Sequence, residues 1–253
     1  MRSSGHRDEA TQEEVSRTAR ASARVRAEWQ RRVHVEYRSA ALTQHLTLWL
    51  LQVGASPDLI REGLVIVDDE LAHAELSHLV ALEAGGAAST IDRAQLVLGR
   101  DESVPLEHDL VRACVGVFCL GETAAVPIFR GLREACTVPV ARRALDRVLR
   151  DEVRHRDFGW RLLGWLIERP DGARVRCFVE AELPAMFAAL RETYSPPGSE
   201  KRSDWKRCFG AERAWGLMPM VMYRDAVERA LERDFVPRFG KLQIAARRAW
   251  AAV

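Results

Sequence analysis

Apolar positions recur along most of the chain at intervals of three and four, the period of an α-helix with one buried face. Alternating Val/Ile/Thr runs bounded by Asn-Gly turns, which would signal strands, are almost absent. The periodicity predicts a first helix from about Thr11 to Val53, ending near Gly54. "SPDL" supplies Ser56 as N-cap and Pro57 at the first helical position of a second helix, which runs to about Glu83 before Gly85 and Gly86. Residues 84–104 read as a long crossover with one short helical turn. A third helix is predicted from about Leu106 to Ala135 and a fourth from about Val140 to Glu168, stopping at Pro170. A fifth spans about Gly172 to Thr193, followed by "SPPGSEKRSD", the clearest flexible loop. Two more are predicted over about Cys208–Arg233 and Val236–Ala252.

Four long helices with one long central connection predict an all-α fold, a four-helix bundle of the crossover type with additional C-terminal helices. Residues 1–10 are expected to be disordered and 11–253 to form a single domain, with no internal boundary. At 253 residues there is ample material for a core.

Composition changes this picture little. With 47% hydrophobic and 29% charged residues the chain has the make-up of a globular protein. A net charge of +2 gives no electrostatic case for nucleic acid or membrane as partner. "MRSSGHRDEATQEE" has no apolar h-region, and "LTLWLLQVGA" is too short and too polar to span a bilayer. Cys114, Cys119, Cys136, Cys177 and Cys208 are odd in number and form no C-x-x-C, so a reduced, cytoplasmic setting is expected.

The candidate chemistry lies in acids placed on buried stripes. "RDEVRHRDFGW" carries Glu152 and His155 three apart, hence on one helical face. "DDELAHAELSH" repeats the arrangement with Glu70 and His73, and in both an aspartate, Asp69 or Asp151, directly precedes the glutamate. Glu36 precedes the first motif on helix one and Glu122 precedes the second on helix three. The sequence therefore reads Glu, then D-E-x-x-H, twice. Each glutamate is flanked at helical spacing by apolar or small residues, as Glu122 is by Val115, Phe118, Cys119, Ala125 and Phe129.

Burying one unpaired carboxylate costs at least several kcal/mol, and four together repel one another as well. Two divalent cations would resolve this, since four carboxylates and two neutral imidazoles balance their charge. Oxygen with imidazole suits iron or manganese better than calcium or magnesium.

The pattern resembles that of the ferritin-like di-iron and di-manganese carboxylate superfamily, a Glu from each of two helices and a Glu-x-x-His from each of two others. It is closest in form to the D-E-x-R-H subset, which "DEVRH" fits fully, while "DELAH" has Ala72 in place of the arginine. The match covers about residues 30–165, with 171–253 as a C-terminal helical extension. The resemblance implies Glu36, Glu70, His73, Glu122, Glu152 and His155 as ligands to two Fe ions, or to Fe and Mn. Asp69 and Asp151 would orient the histidine rings through their other nitrogens.

It further implies O2 as co-substrate in an oxygenase or oxidase reaction on a small organic molecule, with an external electron donor, in a monomer or homodimer. The alternative within the same resemblance is an iron-binding protein with ferroxidase activity and no organic substrate. Several branches depart from this chain at single positions. The radical tyrosine of ribonucleotide reductase subunits would fall at Ser77, the threonine of multicomponent hydroxylases at Val126, and the extra histidine of arylamine N-oxygenases at Val148. Residues after the fourth helix are expected to roof a substrate pocket, with 193–206 as a mobile entrance loop.

Other acids and histidines are expected to be bystanders. Glu75 and His78 form a third ExxH turned about 140° from the Glu70 face. His34, His45 and Glu28 lie off the Glu36 face, and His108 begins a helix. The tryptophans, among them Trp160 and Trp165, are expected as packing residues. Pro127, five residues after Glu122, predicts either a tolerated kink or a π-type distortion that re-aims Glu122.

Overall fold

The computed structural model describes residues 21–87 and 91–253, and every regular element among them is helical. Helix α1 spans Ala23–Gln52, with the Ser22 hydroxyl accepting from the Val25 amide. The start expected near Thr11 and the disorder expected for residues 1–10 both lie outside the described residues. Gly54, at φ 70°, ends α1 and turns the chain into α2, Pro57–Glu83, capped by Ser56. Gly85, at φ 78°, closes α2. Only glycine takes these left-handed positions without strain.

Among its described residues the crossover carries a single 3-10 turn, Arg93–Gln95, as expected. Helix α3 runs Leu106–Glu134 and holds a π-helical stretch at Cys114–Glu122. A short connection leads to α4, Pro139–Glu168, then α5, Gly172–Tyr194. Four helices close a ring: α1 packs along α2, α2 against α4, α4 against α3, and the start of α3 against α1. This is a helical bundle whose interior stripe is fully buried, with Trp29, Leu46, Ile66, Phe118, Leu145 and Phe158 at its centre.

Helix α3 is long and apolar enough, by length and composition, to cross a membrane, with a mean hydropathy of 1.5 over its most apolar window. It is a longer apolar segment than "LTLWLLQVGA", and 72% of that window is buried inside the protein. A helix enclosed on all sides needs no polar face.

The C-terminal region departs from expectation. In place of two long helices it forms α6, Gly210–Ala214, then α7, Met220–Ala230, which continues through a π turn, Leu231–Phe235, into α8, Val236–Lys241, and finally α9, Ala246–Trp250. Gly216 at φ 78° and Pro219 interrupt the first predicted helix. Gln243 at φ 61° and the buried Ile244 interrupt the second. Periodicity alone cannot register a break that tertiary packing imposes. The "SPPGSEKRSD" loop is also more structured than expected. It includes a 3-10 turn at Ser199–Lys201, buries Ser199, and is tied to α7 through the Asp204 carbonyl, which accepts from Met220 N at 3.3 Å. Helices α5 and α7 lie over α3, and α5 also touches α4.

Candidate metal centre

The four bundle helices each deliver side chains to one interior point. Helix α1 contributes Glu36, α2 contributes Glu70 and His73, α3 contributes Glu122, and α4 contributes Glu152 and His155; all are buried, none more than 8% exposed. Close approach of α4 to α3 depends on Gly159, where a Cβ would stand 2.4 Å from Phe118 Cβ and 2.8 Å from its carbonyl carbon. The next residue, Trp160, donates from Nε1 to Thr123 Oγ1 at 3.0 Å, tying α4 to the residue after Glu122. The π stretch ends at Glu122 itself, so the distortion lies upstream of Pro127 rather than at it. Of the two readings of Pro127, a π-type distortion in this helix is the one observed, and it sets the rotation at which Glu122 leaves α3.

At the centre, Glu70 stands between the two imidazoles. Its Oε2 lies 3.5 Å from His73 Nδ1 and its Oε1 lies 3.2 Å from His155 Nδ1, while Glu152 Oε2 is 3.8 Å from the same His155 nitrogen. Two sets of three donors lie close enough to hold an ion each: Glu36, Glu70 and His73, and Glu70, Glu152 and His155. Glu70 belongs to both. Glu122 falls outside either set but sits beside Glu152, whose carboxyl its charge perturbs.

The outer faces of the rings are held crosswise. His73 Nε2 pairs with Asp151 Oδ2 on α4, and His155 Nε2 with Asp69 Oδ2 on α2, each at 3.2 Å. Arg147 reaches Asp69 Oδ1 at 3.0 Å and also bonds Asp151, and Arg154 bonds Asp69 and reaches Asp151 Oδ1 at 3.4 Å. The imidazole hydrogen bonds and these guanidinium charges overcome the cost of burial and keep both aspartates below the usual carboxylate range. An ionised aspartate can only accept, so each Nε2 carries a proton, and it is Nδ1 of each ring that gives up its proton to offer a lone pair toward the cluster.

Arg154 is the arginine of D-E-x-R-H. Arg147 was not singled out from the sequence, although its position four residues before Asp151 on one helix was a usable signal.

The electrostatics are those of crowded acids. Burial, then the charge of Glu70, pushes Glu36 up to about 8. Burial and Glu122 push Glu152 well up, and burial raises Glu122. Glu70 goes the other way, to about 2, because the two imidazoles outweigh its burial. Against its own burial, His155 is raised to about 10 by Asp69 and Glu70.

Whether a metal fits can be judged from the buried atoms that lack a hydrogen-bond partner. Glu70 Oε2, Glu152 Oε2, His73 Nδ1 and His155 Nδ1 are four of these. Natural interiors rarely leave such atoms unsatisfied. All four are oxygen or imidazole donors of one cluster, so the residues present suit divalent cations of the iron or manganese kind.

The expected bystanders stay outside. Glu75 is exposed, His34, His45 and His78 are half-buried, and His108 stacks on Phe178 at 4.3 Å. Glu28 pairs with Arg31 and Arg32. The chain matches no protein-family model, no curated protein and no solved structure.

Proposed function

We propose that this chain adopts a ferritin-like bundle, binds two iron ions, or iron and manganese, through Glu36, Glu70, His73, Glu122, Glu152 and His155, and catalyses an O2-dependent oxidation of a small organic molecule. One observation carries the reading: six buried oxygen and imidazole side chains from four helices converge, with Glu70, His73, Glu152 and His155 each leaving an atom unpartnered and both histidines held by aspartates from behind. A structural role alone would not favour this arrangement, because acids that repel one another in a dry interior cost stability.

Bound iron would supply the reduction of O2 and the oxidising power to attack a C–H or N–H bond. The protein's own part is to fix the donors and exclude water. Asp69 and Asp151 hold each imidazole at Nε2 so that Nδ1 faces the cluster, Arg147 and Arg154 keep the aspartates ionised, and the buried Phe118, Phe158 and Leu162 belong to the same dry interior. Helices α5 and α7, packed over α3, favour an organic substrate over iron handling alone, because ion binding by the four bundle helices has no use for this cover.

Anaerobic Fe(II) titration with metal analysis, followed by exposure to O2, tests the proposal. The expected result is two metals per chain and rapid O2 consumption. Glu122→Ala and Glu152→Ala should each lose dinuclear loading, and retention of two metals in either variant would refute the ligand assignment. A large hollow oligomer on size exclusion would favour ferroxidase activity without an organic substrate.

A further inference from the structure

At one end of the bundle the start of α1, the end of α2 and the start of α4 stand around a cavity of about 740 Å³, a volume in the range of small-molecule sites. Val138, Pro139 and Val140, at the turn into α4, form an apolar wall of this cavity together with Trp215. Hydrogen bonds fix that wall. The Ala214 carbonyl accepts from Thr137 N at 2.9 Å and from Val138 N at 3.0 Å, and the Trp215 carbonyl accepts from Trp29 Nε1 at 2.9 Å.

The cavity is separate from the proposed metal centre. Arg26 on α1 and Glu83 on α2 both line it, each ten residues from the nearest proposed ligand of its helix, Glu36 and His73. Arg143 on α4 lines it too, nine residues before Glu152. At about 1.5 Å of rise per residue, all three helices agree on a separation of roughly 14–15 Å.

These three side chains give the cavity both signs of charge. Glu83 is the last residue of α2, where the final carbonyls of a 27-residue helix gather partial negative charge. Arg143 lies near the start of α4, a 30-residue helix whose first amides no side chain caps, so partial positive charge gathers there. Arg26 passes Gly85, where a Cβ would stand 4.0 Å from its Cδ, and its Nη1 donates to the Ala21 carbonyl at 2.6 Å. Among the described residues neither arginine pairs with a carboxylate, and Glu83 pairs with no cation. An acid alone would suit the guanidiniums but bring a like charge to Glu83. An amine alone would suit Glu83 but meet two guanidiniums. A molecule carrying both charges on adjacent groups satisfies all three side chains, and an apolar remainder covers the wall.

We propose that this cavity binds an α-amino acid with a large apolar side chain. Arg26 and Arg143 take its carboxylate, Glu83 takes its ammonium, and Val138, Pro139, Val140 and Trp215 receive its side chain. Binding here needs no metal.

Isothermal titration of the metal-free, full-length chain with L-phenylalanine and L-leucine tests this. Three further probes, 3-phenylpropionate, phenethylamine and L-alanine, lack in turn the ammonium, the carboxylate and the large side chain. Phenylalanine and leucine should bind, and each of the three probes should bind at least tenfold more weakly than phenylalanine. Arg143→Gln and Arg26→Gln should each weaken phenylalanine at least fivefold. Glu83→Gln should weaken phenylalanine yet leave 3-phenylpropionate unchanged or tighter, a reversal that a merely structural Glu83 would not produce. All three side chains are exposed or half-buried, so these variants should fold as the parent does. No binding of phenylalanine or leucine at millimolar concentration would overturn the proposal. So would 3-phenylpropionate or phenethylamine binding as tightly as phenylalanine, or phenylalanine affinity within twofold of the parent in all three variants. Mn(II)-loaded protein should give the same affinities. A change of tenfold or more on loading would put the amino acid at the carboxylate cluster instead, and the assignment to this cavity would fail.

Discussion

Asp69 and Asp151 decide what the histidines can do. Each holds the imidazole of the other D-E-x-x-H helix, and the two arginines bind both acids together, so one network spans α2 and α4. Asp151→Asn should leave the fold intact but free the His73 ring to rotate or change tautomer, lowering metal affinity about 10–100-fold. Competitive Mn(II) titration reads this directly, and an affinity within threefold of the parent would show that the aspartate does not orient the ring. Removing an acid from the interior has the opposite effect on stability. Glu152→Gln should abolish dinuclear loading yet raise the stability of the metal-free chain by about 1 kcal/mol or more, which for a chain of this size is about 2–4 °C in the thermal midpoint per kcal/mol. A fall in that midpoint would mean Glu152 is a structural acid. The eight residues of this centre were legible in the sequence because the D-E-x-x-H spacing and the apolar flanks are properties of a single helix. The crosswise pairing was not, since no local pattern states which helix an aspartate will face. The burial of Arg32 was missed for the same reason, since the Gly216 carbonyl that it bonds lies 184 residues away.

At the level of elements, the contact that sets the site is α4 against the π stretch of α3. Gly159→Ala would drive a methyl group into Phe118 and the Cys119 amide, contacts made by backbone and Cβ atoms that cannot swing aside. Overpacking of this kind costs about 1–3 kcal/mol. On the same helix, Gly164 has nothing within 4 Å of an added Cβ, so Gly164→Ala should be neutral or slightly stabilising. Thermal unfolding of the pair should therefore separate clearly, and equal midpoints would mean that α4 and α3 are not held at this distance. The turn between the first two bundle helices and the end of the second were readable from their caps: Gly54, Ser56 and Pro57 at the turn and Gly85 at the end, whereas Ser22 and Pro139 were not read as starts. The C-terminal breaks and the exact place of the π stretch were not. An i→i+5 ladder is chosen by packing across α3 and α4, whereas the residues of Cys114–Glu122 would suit an ordinary apolar helix equally well.

For the whole molecule, the buried acids make stability and metal binding move oppositely with pH. Glu36 titrates near 8 in the folded chain and near 4.5 when unfolded, so its protonated form contributes stability that is fully present below 4.5 and is lost as pH rises through 8. Glu122 and Glu152, also raised, act in the same direction. His155, raised to about 10 from 6.5, extends that loss above pH 6.5. Glu70, Asp69 and Asp151 are lowered, and their contributions disappear only in acid, below about pH 4.5. Between pH 5 and 8 the raised groups therefore dominate, and the metal-free chain should become less stable as pH increases. Metal binding needs the same groups deprotonated, so it competes with protons at pH 6 and much less at pH 8. A free Mn(II) concentration one hundred times Kd stabilises by about 2.7 kcal/mol, or about 5–10 °C here, and Kd itself should fall as pH rises. Calorimetric scans at pH 6 and pH 8, at one fixed Mn(II) concentration, should thus show a wider gap between metal-loaded and metal-free midpoints at the higher pH. A gap that stays constant or narrows would mean that the acids at the bundle's centre are not those that bind the metal.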